Sequence, residues 1–133
     1  MLSGERPTIY GDGPQSRDFT CVENVVCGKL AAASTAGAVG SVINVACGDQ
    51  IMLPQSIASI NNDLGTDIEP NISERRRGDV RFSLADLSTA RELLMYEPVV
   101  TFEEGLRHSI SYYSALQRTH RPCSRSRYRN GFC

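Results

Sequence analysis

The chain has 133 residues and a formal net charge of −1, which suits one domain with a single modest core. Hydrophobic residues at 41% against 22% charged place it among globular sequences and exclude a disordered polyelectrolyte. No run approaches the roughly 18 apolar residues of a membrane helix, and Met1–Arg6 has no apolar leader core, so the reading is a cytoplasmic protein with no membrane partner.

The five cysteines (Cys21, Cys27, Cys47, Cys123 and Cys133) contain no C-x-x-C pair and suit neither a zinc knuckle nor a disulfide framework. They read as reduced thiols, with no metal expected. A set of Cys123, Cys133 and His120 is the weak alternative. The charge is uneven: Arg118, Arg121, Arg125, Arg127 and Arg129 come without an acid among them and leave the rest of the chain acidic. An acidic body with a basic end argues against a nucleic-acid partner. The expected organisation is a folded lobe over 1–117 and a basic, disordered tail over 118–133.

In chain order, Thr8-Ile9-Tyr10 reads as a short strand that stops at the turn-forming Gly11-Asp12-Gly13-Pro14. Phe19 to Val22 suits a second strand. Glu23 to Ala33 reads as a helix, with Val26, Leu30 and Ala33 at helical spacing. After a loop bounded by Gly37 and Gly40, Ser41 to Ala46 is β-branched and apolar, which predicts a buried strand ended by Gly48. Pro54 to Asn62 predicts a helix with Ile57, Ile60 and Leu64 on one face and Gly65 as its stop. Residues 66–80 read as irregular and carry Arg75-Arg76-Arg77. Asp86 is placed to cap a helix ending at Leu94. Thr101-Phe102-Glu103-Glu104 is a capping box, opening a helix to about Leu116 with Leu106, Ile110 and Tyr113 inward. Strands this few and short make a poor independent sheet, so the piece is expected to pack on something larger.

Several ordered motifs carry a resemblance. Thr8-Ile9-Tyr10-Gly11-Asp12-Gly13-Pro14-Gln15-Ser16-Arg17-Asp18-Phe19 is followed by Val42-Ile43-Asn44-Val45 and then by Arg76-Arg77-Gly78-Asp79-Val80-Arg81-Phe82-Ser83-Leu84-Ala85-Asp86. Tyr96-Glu97-Pro98 and Phe102-Glu103-Glu104-Gly105-Leu106 complete the series. Together they resemble the C-terminal portion of the extended short-chain dehydrogenase/reductases, in particular the NAD-dependent epimerase/dehydratase family with its UDP-N-acetylglucosamine and UDP-glucose 4-epimerases. The resemblance implies an α/β substrate-binding lobe. It also implies that the complete family enzyme holds NAD on an N-terminal Rossmann domain and catalyses through a Tyr-x-x-x-Lys pair.

By motif position the resemblance assigns Arg17 to a phosphate and Asn44 to the nucleotide site. The loop that carries Arg76, Asp79 and Arg81 would close over diphosphate and ribose, and Thr8 and Tyr10 would border the uracil. Ordinary readings stand beside these. Arg17 could pair with Asp18, Arg75–Arg77 could be a solvated charge run, Asn44 could satisfy loop backbone, and Tyr10 could simply pack. Relative to the family, Cys21 stands where tyrosine is usual, Met52 where a serine or threonine cap is usual, and Met95 where glycine is usual. Met95 is therefore expected in a left-handed conformation.

The parts that carry family chemistry are not legible. Gly11-Asp12-Gly13-Pro14-Gln15-Ser16 lacks the third glycine of a dinucleotide loop, contains Pro14 and follows no long strand. Lys29 is the lone lysine, and Val25 stands four residues before it, so no phenol–ammonium pair exists to activate a tyrosine. The expectation is a lobe that binds a UDP-sugar weakly and is catalytically incompetent by itself, with no cofactor in this chain and a Rossmann-domain chain as a possible partner. A non-enzymatic interaction or regulatory module, or a truncated gene product, is the alternative.

Overall fold

The computed structural model describes residues 1–119. Strand β1 (Thr8–Tyr10) pairs in parallel with β4 (Asn71–Ser73), in the register Thr8↔Asn71, Ile9↔Ile72 and Tyr10↔Ser73. Ile9 points inward at 4% exposure, whereas every residue of β4 is exposed. That exposure explains why Asn71-Ile72-Ser73 gives no sequence signal: its pairing, not its hydrophobicity, makes it a strand. A second pair joins β2 (Ser16–Arg17) and β3 (Ile51–Met52) in antiparallel register. Both two-stranded pieces are too small to stand alone and are held by four helices.

The predicted strand over Phe19–Val22 is not formed. Strand β2 lies earlier, and Val22 already begins α1 (Val22–Ser34). The expected face of α1 is also reversed: Val26 and Leu30 are exposed at 48% and 66%, while Asn24 and Gly28 are buried. A polar residue wins the inward position because its hydrogen bonds are all met there. Asn24 Oδ1 accepts from the Val99 and Val100 amides, both at 2.9 Å, and Nδ2 donates to the Val100 carbonyl at 2.8 Å. Gly28 follows one turn later, where a Cβ would stand only 2.7 Å from Val45 Cγ1.

The predicted strand over Ser41–Ala46 is likewise corrected. After a 3₁₀ turn at Ala36–Ala38, this segment runs without ladder partners among the described strands, and Val42 is 93% exposed. Hydrophobic, β-branched residues favour a strand only where another strand accepts their backbone groups.

Helix α2 (Leu53–Leu64) ends as expected, with Gly65 left-handed (φ 64°, ψ 36°) and its amide directed to the Asn61 and Asn62 carbonyls. Its start uses half a capping box. Gln55 Oε1 accepts from the Met52 amide at 2.9 Å, but methionine offers no hydroxyl in return. Helix α3 (Ser88–Leu94) begins after Asp86, whose carboxylate accepts from the Ser88 amide at 2.9 Å. That bond holds the Asp86 carboxyl below its ordinary pKa. Met95 ends α3 in the left-handed region (φ 53°), as the family pattern implied.

Helix α4 (Phe102–Thr119) opens on the expected box. Thr101 Oγ1 accepts from the Glu104 amide at 3.3 Å, and Glu104 Oε2 accepts from the Thr101 amide at 3.1 Å. Leu106 and Ile110 are half-buried, but Tyr113 is exposed and meets Tyr112 edge-on at 5.3 Å, so its expected inward role is corrected. The helix also continues to Thr119, past the expected end at Leu116 and into the span assigned to the tail. The remaining tail expectation, from residue 120 on, lies outside the described residues.

The core gathers Ala46, Leu87, Ala90, Leu94 and Tyr96, with Ala31, Ala32 and Val45 against it. Tyr96 donates its hydroxyl to the Ala46 carbonyl at 2.9 Å, so its polar tip is satisfied while burial pushes its pKa up. No helix among the described residues is long and apolar enough to cross a membrane.

Candidate functional site

The end of β1 and the loop after β4 form the most arginine-rich corner of the described lobe. Parallel pairing brings Tyr10 beside Ser73, and the Gly11 amide continues the contact by donating to the Ser73 carbonyl at 2.8 Å. The next turn needs backbone angles that side chains resist: Gly11 and Gly13 have φ of 109° and 98°. It returns the chain to buried Gln15, whose Nε2 donates to the Tyr10 carbonyl. Between the two loops lies an open cavity of about 310 Å³, lined by Gly11, Asp12, Gln15, Ser73, Arg75 and Arg81, among others.

Three arginines mark this corner. The Arg76 guanidinium lies 3.5 Å above the Tyr10 ring, a contact worth about 0.5–1 kcal/mol at an exposed site. Arg75 donates to the Asp79 carbonyl at 3.1 Å, inside a turn where Gly78 is left-handed and the Asp79 amide reaches the Arg76 carbonyl. Arg81 pairs with Asp12 at 2.8 Å, with side chains 45% and 66% exposed. An ion pair that open contributes about 0–1 kcal/mol, so a more highly charged anion can displace Asp12 cheaply.

The predicted residues divide accordingly. Tyr10 and Arg76 are stacked, and Arg81 lines the adjoining cavity. Asp79 shapes the loop through its backbone. Thr8 is exposed at the far end of β1. Arg17 is close in backbone terms, since its neighbour Ser16 donates to the Arg81 carbonyl at 3.0 Å and accepts from the Ser83 amide at 3.3 Å. Its side chain, however, is absent from the cavity lining and donates to the Ser16 carbonyl at 2.8 Å. Asn44 stands on the unpaired segment and donates to the Asp86 carbonyl at 3.2 Å, away from the residues that line the cavity.

Asp18 is not paired with Arg17. Its carboxylate instead accepts from the Cys47, Gly48 and Ala85 amides at 3.1, 3.0 and 3.3 Å, fastening the segment after β2 to two remote loops. Ser16, fully buried, accepts from Gln50 Nε2 at 2.8 Å. Sequence reasoning missed Gln15, Ser16 and Asp18 as organisers and Arg75 as a lining residue. The Gln15-Ser16-Arg17-Asp18 stretch of the motif, which holds the first three, was the available signal.

A small α/β lobe with this glycine turn and this arginine loop can be set beside known proteins. No protein-family model matches the chain. It is 31% identical over 109 residues to an uncharacterized UDP-glucose epimerase of Bacillus subtilis, covering 82% of this chain and 34% of that protein. It is 32% identical over 113 residues to the UDP-glucose 4-epimerase of Mycolicibacterium smegmatis, covering 85% and 36%. Among solved structures, Thermotoga maritima UDP-glucose 4-epimerase with UDP-glucose superposes with a TM-score of 0.82 at 35% identity, over 88% of this chain and 37% of that one. A Methanobrevibacter ruminantium UDP-N-acetylglucosamine 4-epimerase in complex with UDP-N-acetylmuramic acid gives 0.79 at 34%, over 86% and 36%. The chain belongs to the epimerase-like extended short-chain dehydrogenase/reductases and matches their C-terminal portion. It spans about a third of the length of the curated relatives it matches.

Proposed function

We propose that this lobe binds the nucleoside diphosphate part of a UDP-sugar and does not epimerise it alone. The observation that carries the reading is the corner where Tyr10 and Arg76 stack beside a cavity flanked by Arg75 and Arg81. A diphosphate spreads its charge over several oxygens, and the planar guanidinium fork meets such oxygens with paired donors. The Tyr10–Arg76 stack offers a flat, cationic surface for a base. Arg17, with donors to spare on the neighbouring strand, is retained as a further phosphate contact. Asn44 and Thr8 belong to the proposed set by motif position, although neither lines this cavity, and Asp79 holds the loop.

Catalysis requires a nicotinamide and a proton-transfer group near it. These 133 residues contain neither a dinucleotide loop nor a Tyr-x-x-x-Lys pair, so the NAD-holding part would be a Rossmann domain outside them. A specific feature favours such a partner. Val22, Leu30 and Val42 are 71%, 66% and 93% exposed, and the strand-forming 41–46 segment, which joins no ladder among the described residues, is one that a neighbouring sheet could accept.

UDP binding measured by NMR shift perturbation tests the site. With one wall of the pocket missing, affinity should be on the order of millimolar, about −4 kcal/mol. Arg76→Ala and Arg81→Ala should abolish it, while Arg91→Ala, whose guanidinium is paired with Glu97 at 3.0 Å, should not. Parent-like UDP binding by both loop variants overturns the site. Turnover of UDP-glucose by the pure chain with NAD overturns the second half of the proposal.

A further inference from the structure

The N-terminal end of α1 brings together three groups of a different chemistry. Cys21 immediately precedes α1, Glu23 lies in its first turn, and His108 stands on α4. One ligand atom from each, the thiol sulfur, a carboxylate oxygen and a ring nitrogen, lies within 4.8 Å of the other two. His108 Nδ1 is already 3.7 Å from Glu23 Oε1. We infer that Cys21, Glu23 and His108 form a site for a divalent metal ion of the zinc class.

The backbone is built to bring these groups close. Gly105 sits one turn before His108, and a Cβ there would stand 3.3 Å from Cys21 Cβ and 3.6 Å from its sulfur. The missing side chain lets the thiol lie directly against α4, on the face that carries His108, since residues three apart share a helix face. Cys21 is also anchored by its own carbonyl, which accepts from the Asn24 amide at 3.1 Å. Glu23 and His108 are exposed, so their side chains are free to turn inward.

The donor set and the spacing match one class of ion. Thiolate, imidazole and carboxylate together suit Zn²⁺ or Co²⁺, whereas magnesium and calcium take oxygen ligands. With bonds of roughly 2.0–2.3 Å, tetrahedral ligand atoms lie about 3.3–3.7 Å apart. The Glu23–His108 separation of 3.7 Å is already close to that spacing, and drawing in the remaining atoms needs a shift of about 1 Å, within the reach of side-chain rotation. Three protein ligands leave a fourth position. Here it would face a cavity of about 470 Å³ lined by Phe19, Phe102, Tyr112 and Tyr113, among others. This site is separate from the arginine corner, and neither depends on the other.

Cobalt titration of the full chain, followed by its visible and near-ultraviolet spectrum, tests the proposal. One equivalent of Co²⁺ should bind in tetrahedral form with a thiolate-to-cobalt band, and zinc should displace it. Cys21→Ser should remove that band. Glu23→Gln and His108→Ala should each weaken cobalt binding about tenfold or more. The other thiols serve as controls: Cys27→Ser, and Cys123→Ser with Cys133→Ser, should titrate like the parent. A parent that binds no cobalt, or a band that survives Cys21→Ser, overturns the site. If Cys21→Ser disturbs folding, the exposed His108→Ala variant decides, and parent-like binding there also overturns it.

Discussion

Asn24→Ala is the most informative single change to the fold. Asn24 is fully buried and makes three strong bonds to the backbone of Val99 and Val100, plus a contact to Cys47 Sγ at 3.3 Å. Val99 is exposed enough for water to replace its lost partner, but Val100 is 7% exposed. Alanine therefore strands the Val100 amide and weakens the satisfaction of its carbonyl. At about 1–3 kcal/mol for an orphaned group, the stranded amide alone costs about 1–3 kcal/mol, while the carbonyl keeps the Cys47 thiol as a donor at 3.8 Å; that is a sizeable share of the 5–15 kcal/mol on the order of which domains of this kind are stable. Urea unfolding of parent and variant, monitored by circular dichroism, reads this directly. Asn24→Asp adds a second check: it keeps the oxygen that accepts from both amides, loses the donor to the Val100 carbonyl and buries a charge. Its folded-state pKa should be raised, so its stability should improve as pH falls from neutral toward 5, where protonation returns a donor. An Asn24→Ala loss below about 1 kcal/mol would show that the buried amide does not organise α1.

Three further outcomes are expected. Gly28→Ala should destabilise by about 1–3 kcal/mol, because its Cβ would press on Val45, and Val45→Ala should recover much of that loss in the same denaturation assay. Met95→Gly should raise the melting temperature, since it relieves a left-handed non-glycine residue worth about 1–2 kcal/mol at a position 85% exposed. The Thr101 hydrogen bonds lower the Glu104 carboxyl pKa, so their contribution is fully present above the ordinary glutamate pKa and fades as pH falls through the lower folded value. Glu104→Gln should flatten the acid limb of stability against pH in that window, and an unchanged acid limb would contradict the capping role.

The sequence by itself determined the features whose causes lie within a few residues. Gly65 stops α2 because a left-handed angle is cheap for glycine, and Thr101 with Glu104 starts α4 because each side chain reaches the other's amide. The left-handed Met95 and the Gly11–Pro14 turn belong with these, and the contiguous motifs were enough to reach the family and the arginine loop. Tertiary structure decided what depends on partners far away in the chain. Asn71–Ser73 became a strand because β1 lay alongside it, while the more strand-like 41–46 did not, having no ladder partner among the described residues. The inward face of α1 went to Asn24 and Gly28 rather than Val26 and Leu30, because hydrogen bonds to residues 99–100 and the close approach of Val45 outweighed helical periodicity. Arg76 met Tyr10, and Cys21 met His108, across separations of 66 and 87 positions, distances over which spacing carries no information and only chain packing does.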